Sequence, residues 1–85
     1  MVKSFDYNIS DTFIQILVAN PSIVYLKIIN TGTNVVYLKN TNGVTTDDFP
    51  LNSNEEFFCN DYIGDYFAIC EIGNVGNIRV EYEVL

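Results

Sequence analysis

Two pairs of adjacent carboxylates, Asp47-Asp48 and Glu55-Glu56, and two cysteines, Cys59 and Cys70, are the side chains in this sequence best suited to chemistry. Neighbouring residues on a strand point to opposite faces, so neither carboxylate pair converges on a substrate for acid–base work. The chain has no histidine, which removes a Ser-His or Cys-His nucleophile pair. Two cysteines eleven positions apart, with no histidine to complete the set, do not make a zinc site. Asp61-Tyr62-Ile63-Gly64-Asp65 lacks the D-x-[DN]-x-[DN]-G spacing of a calcium loop. The glycines are isolated and form no phosphate-cradling loop, and no lysine lies in an apolar pocket. The expectation is a non-enzyme with no catalytic, cofactor-binding or metal-binding residues and no cofactor.

The elements that would position any site are strands. Val, Ile and Thr are abundant, whereas alanine occurs only at 19 and 68, a balance that favours sheet over helix. No window carries the i, i+3, i+4 apolar spacing of a helix. The clearest pattern runs over residues 23–39. Val24, Leu26 and Ile28 alternate with Tyr25 and Lys27, then Val36 and Leu38 alternate with Tyr37 and Lys39. A polar Asn30-Thr31-Gly32-Thr33-Asn34 separates the two runs, and the whole reads as a β-hairpin.

Around that centre the chain divides at its turn residues. Residues 1–10 are expected to form an N-terminal arm or an edge strand. Thr12, Ile14, Ile16 and Val18 share one face of the next run, with Phe13, Gln15 and Leu17 on the other. Asn20-Pro21-Ser22 turns the chain. Residues 40–54 are weakly patterned, a functional loop or edge segment in which Phe49-Pro50-Leu51 extends and drops two apolar side chains into the core. Residues 55–60 place Phe57 and Cys59 opposite Phe58. After a turn at 61–64, Tyr66, Ala68 and Cys70 oppose Phe67 and Ile69. Ile78, Val80, Tyr82 and Val84 then alternate with Arg79, Glu81 and Glu83. One domain over residues 1–85 follows, all-β, a small antiparallel β-sandwich or barrel of jelly-roll or immunoglobulin-like type with six to eight short strands.

Charge narrows the partners. Eleven acids face four bases, for a formal charge of −7. Residues 47–71 hold seven of those acids and no Lys or Arg. Such a surface repels phosphate backbones, so nucleic acid is excluded as a partner. No apolar run approaches the roughly 18 residues of a membrane span, and the first residues lack the apolar stretch of a secretory signal. The chain is expected to be soluble and made in a cytosol. In that compartment Cys59 and Cys70 are expected to be two buried reduced thiols, although neighbouring strands could bridge them. For the same reason the sequon Asn8-Ile9-Ser10 carries no glycosylation reading.

Six Tyr and six Phe remain. Most must fill a core that has no Trp. Phe13, Leu17, Phe67 and Ile69 nevertheless sit opposite the best core stripes, which marks them as interface candidates.

The order of elements resembles the small all-β structural proteins of tailed bacteriophages. The pattern I-x-N-x-G-x-x-x-V-Y-L is matched by residues 28–38, and G-V-T by Gly43-Val44-Thr45. F-P-L followed by a turn and Glu is matched by Phe49-Pro50-Leu51 with Asn54-Glu55, where Asn54 stands in place of the usual Gly. Asp65-Tyr66-Phe67-Ala68-Ile69 and Ile78-Arg79-Val80-Glu81 complete the match, which covers about residues 23–84. The resemblance implies a head decoration (auxiliary capsid) or head-fibre protein, made in the host cytoplasm and located in the virion. It implies protein–protein contacts with a major capsid protein or another virion protein, and self-association for which a trimer is the first expectation. A second reading from the residues is a carbohydrate- or host-receptor-binding module of a tail or fibre, in which Tyr25, Tyr37 or Tyr62 stacks on sugars.

Overall fold

The computed structural model describes residues 1–61 and 63–85; Tyr62, and with it the reading of that ring as a sugar platform, lies outside them. Eight strands follow in order: β1 (Val2–Ile9), β2 (Ile14–Leu17), β3 (Ile23–Asn30), β4 (Val36–Lys39), β5 (Phe49–Leu51), β6 (Glu56–Cys59), β7 (Tyr66–Ile69) and β8 (Gly76–Val84). They form two four-stranded antiparallel sheets, β1-β8-β3-β6 and β2-β7-β4-β5. In the first, β1, β8 and β3 run eight or nine residues, whereas no strand of the second exceeds four. They are called the long sheet and the short sheet below.

The first strand pairs the eighth, the second the seventh, the third the sixth and the fourth the fifth. That is a long antiparallel strip rolled up on itself, and the remaining ladders, β3–β8 and β4–β7, close the roll. The strand order is that of an eight-stranded jelly roll, one of the expected architectures. It is not the immunoglobulin order, in which the first and second strands share a sheet (A-B-E-D against C-F-G), since β1 and β2 lie in different sheets.

The hairpin expected over residues 23–39 is corrected. β3 pairs β6 and β8, while β4 pairs β5 and β7, so the two runs lie in different sheets. Residues 31–35 are a crossing between layers rather than a tight turn. Alternation had identified both strands correctly, but period two says which face a side chain takes and not which strand lies alongside.

The core lies between the sheets, where Ile9, Leu26, Ile28, Val36, Leu51, Ala68, Ile78 and Val80 are sealed from solvent. Two β-bulges shift residues relative to strict alternation. The register slips between Ile23 and Tyr25, which buries Ile23 and leaves Val24 exposed, contrary to the core place expected for Val24. It slips again between Gln15 and Leu17, and Ile16 and Leu17 both turn inward. In β5 only Leu51 reaches the core; Phe49 remains 51% exposed with its ring against Phe57 at 5.6 Å. Val44 anchors the loop before β5 by burial. Asp48 ties that loop's turn through its carboxylate, which accepts from the Thr45 amide at 2.7 Å. Asn54 adopts a left-handed φ of 65°, a conformation glycine and asparagine tolerate best.

Candidate interaction face

β7 is the central strand from which this site is built. Its inward residues Tyr66 and Ala68 belong to the core, so alternation sends Phe67 and Ile69 to the outer face of the short sheet. Register fixes their neighbours. Phe67 lies between Gln15 on β2 and Lys39 on β4, and Ile69 lies beside Tyr37, which in turn lies beside Pro50. Phe13, just before β2, meets Phe67 edge-on with ring centroids 6.4 Å apart. The result is a continuous outer surface of Phe13, Phe67, Ile69, Tyr37 and Pro50, bordered by Gln15 and Lys39.

Three of the four interface candidates therefore come together. Phe13 is 49% exposed, Ile69 is half-buried, and Phe67 is 8% exposed because its neighbours cover it. Leu17 does not join them. The bulge after Gln15 turns it into the core, where it packs beneath the short sheet, and its place in the interface set is corrected. Tyr37, Lys39 and Pro50 were missed as members of this surface. The outward direction of Tyr37 and Lys39 was readable from the inward Leu38 between them, and that of Pro50 from the inward Leu51 after it, but not the ladders that set Tyr37 beside Ile69 and Pro50 and Lys39 beside Phe67.

Polar groups frame the apolar centre. The Tyr37 hydroxyl donates to Glu71 Oε1 at 2.9 Å, and that hydrogen bond, more than desolvation, raises the phenol's pKa. Lys39 Nζ stands 3.9 Å from Asp48 Oδ1.

The outer face of the long sheet is of a different kind. Arg79 Nε donates to Asp6 Oδ1 at 3.0 Å, and Lys27 Nζ lies 3.9 Å from both Glu56 and Glu81. Such exposed pairs contribute little stability, but they keep the face wetted. Its aromatic feature is a stack of Tyr25 on Phe58, centroids 5.8 Å apart.

The fold scatters the adjacent carboxylates. Glu55 accepts from the Asn52 amide at 2.7 Å, whereas Glu56 faces Lys27. Among the described residues no group of three or more Cys, Asp or Glu is gathered as a metal site, and no helix is long and apolar enough to cross a membrane. Neither cysteine takes part in a disulfide. Cys70 is buried and its Sγ lies 3.4 Å from the Val35 carbonyl. Burial pushes its thiol pKa up, against a lowering by the Gly76 backbone. Burial likewise raises the phenol of Tyr66, with the neighbouring Cys59 adding to it.

These three raised values set an alkaline limit. A folded pKa above the unfolded one leaves stability intact below the unfolded value and removes it as pH rises through the folded value. The urea midpoint is therefore expected to stay level from neutral pH to the usual thiol value of 9.0, then fall through and beyond the usual tyrosine value of 10.0. A midpoint that climbs across that range contradicts the burial of Cys70 and Tyr66 and the Tyr37–Glu71 hydrogen bond.

No family model, curated protein or solved structure matches this chain.

Proposed function

We propose that this chain is a non-enzymatic structural protein of a tailed-bacteriophage virion, attaching to a capsid or another virion part through the outer face of its short sheet. The observation that carries the reading is the contrast between the two outer faces. The long sheet's outside spreads paired charges around one Tyr25–Phe58 stack, while the short sheet gathers Phe13, Phe67, Ile69, Tyr37 and Pro50, with the Lys39–Asp48 pair at their edge. A solvated face has no physical need for such a cluster, whereas a protein partner gains roughly 25 cal/mol per Å² of apolar surface removed from water. The jelly-roll order is used by viral capsid and lectin domains; it supports the reading by analogy only.

The test is attachment to purified particles of the encoding phage, with copy number read by quantitative mass spectrometry. Ile69→Lys and Phe13→Ser alter outward side chains and leave the core intact. Each is expected to keep the wild-type melting curve and to weaken particle binding about tenfold or more. Binding unchanged in both variants, or absence of the wild-type chain from virions, overturns the proposal.

The carbohydrate reading draws on the Tyr25–Phe58 stack, an aromatic surface beside Glu83 and Lys27. Tyr37 suits that role less well, since its hydroxyl is held by Glu71. Glycan binding lost in Phe58→Ala but kept in Ile69→Lys would favour this second reading.

A further inference from the structure

The four edges of this sandwich are β1 and β6 on the long sheet and β2 and β5 on the short sheet. An edge strand turns half of its backbone N–H and C=O groups to solvent, and proteins normally blunt such edges. Three of these are blunted. β2 is four residues long and bulged, and its Leu17 carbonyl already accepts from the Gln15 side chain at 3.1 Å. β5 is three residues long with Pro50 at its centre. β6 is four residues long, begins at Glu56 and is flanked by Glu55 and Asp61, which repel a like-charged approach.

β1 carries one charge of each sign, Lys3 and Asp6, but it has neither the shortness, the bulge nor the proline of the other edges. It runs eight residues in unbroken register with β8, from Val2 opposite Glu83 to Ile9 opposite Gly76, and contains no proline. It is also pinned along its length. Val84 N donates to Met1 O at 2.9 Å, Arg79 holds Asp6, and Cys70 N donates to Ser10 O at 2.8 Å. The edge is therefore ordered before any partner arrives, which lowers the entropy cost of pairing.

We propose that β1 pairs antiparallel with β1 of a second copy of this chain, joining two long sheets into one eight-stranded sheet. Strand overlap and charge together select the register. A two-fold axis through the sheet sets one residue opposite itself and keeps inward side chains opposite inward ones. Centring on Lys3 or Asp6 places like charges face to face, which is unfavourable. Centring on Phe5 sets Phe5 against Phe5, Ser4 against Asp6, Lys3 against Tyr7 and Val2 against Asn8, so the whole strand pairs without a like-charge clash. Phe5 is 46% exposed and stacks on Tyr82 with centroids 6.0 Å apart. These rings line a cleft of about 540 Å³ between β1 and β2, whose mouth the second copy's strand would follow.

This pairing does not rest on the attachment face proposed above, but it bears on it. A two-fold axis perpendicular to the sheet leaves both copies the same way up, so both short-sheet outer faces look in one direction. Such a dimer would offer a flat lattice two contact faces, and the second contact forms at high effective concentration.

Sedimentation of the wild-type chain over a range of concentrations is expected to show a monomer–dimer equilibrium. Ser4→Asp sets carboxylates opposite Asp6 twice per dimer and is expected to weaken it about tenfold. Ser4→Lys sets opposite charges there and is expected to tighten it. Under mild oxidation Phe5→Cys is expected to cross-link two copies, whereas Val2→Cys is not. A monomer at every concentration overturns the proposal. So does a dimer indifferent to both Ser4 variants, or one cross-linked through Ile69→Cys in place of Phe5→Cys. Particle attachment lost in Ile69→Lys while dimerisation persists separates this inference from the one before it.

Discussion

Gly76→Ala is expected to lower the melting temperature by about 15 °C. Gly76 opens β8 opposite Ile9, on the inner face of the long sheet. A Cβ there would lie 2.5 Å from Val36 Cγ2 and 2.7 Å from Cys70 Sγ. Both are short-sheet or adjoining groups, so this is a point where the two layers meet without a side chain between them. Neither neighbour can yield easily. Valine is stiff about χ1, and the Cys70 thiol is held against the Val35 carbonyl. Overpacking of this kind costs about 1–3 kcal/mol or more, and about 3 kcal/mol moves a domain of this size by about 12–24 °C. The double variant Gly76→Ala/Val36→Ala removes the obstructing methyls and is expected to be more stable than the sum of the two single losses implies. A Gly76→Ala protein melting within a few degrees of wild type would show that the layers separate freely here.

The spacing between layers at Gly76 is the kind of feature that a linear pattern cannot display. Alternation identified the inward residues of β4, β7 and β8 because each strand's facing is a local property. It failed at β3 and β2, where bulges after Ile23 and Gln15 reverse the facing partway along. It also paired β3 with β4 because they are adjacent in sequence. In a rolled strip the true partners of β3 are β6 and β8, separated from it by long stretches of chain. Gly32 and Asn34, which looked like hairpin-turn residues, serve the crossing instead. Gly32 N donates to the Asn30 side chain at 2.9 Å and Asn34 Nδ2 donates to the Val75 carbonyl at 2.9 Å.

The outer face of the short sheet was legible in part for the same reason. Phe67 and Ile69 stand out on sequence because both faces of β7 are apolar, which a strand with one solvated side does not need. Phe13 is tied to them through a bulged edge strand, and Tyr37 through the β4–β7 ladder. Those ties depend on pairing, so composition and spacing could suggest members of the face without assembling it.

Asn30→Leu is expected to cost about 4 kcal/mol, enough to leave a domain of this size largely unfolded near physiological temperature. Asn30 ends β3 opposite Ile78 and is wholly buried. Its amide nitrogen donates to the carbonyls of Asn34 and Leu51, each at 2.8 Å, and its side-chain oxygen accepts from Gly32 N. Its backbone completes the junction, with Asn30 N donating to Glu55 O and Asn54 N donating to Asn30 O, both at 3.0 Å. Leu51 lies on β5 of the short sheet, so one side chain of the long sheet fastens the far layer and the crossing that leads to it. Leucine fills the volume and leaves two carbonyls and one N–H without partners, at about 1–3 kcal/mol for each group that water cannot reach. Asn30→Ala opens room for water and is expected to cost less. Asn30→Asp keeps an acceptor for Gly32 but aims a carboxylate at two carbonyl oxygens, and is expected to be at least as damaging as Leu. Asn34→Ala removes only the exposed bond to Val75 and is expected to cost about 1 kcal/mol or less. Urea titrations of the four variants supply the ranking, read as midpoint shifts at constant slope. If Asn30→Leu unfolds within about 1 kcal/mol of wild type, the junction is held by its backbone bonds alone and the side chain is dispensable.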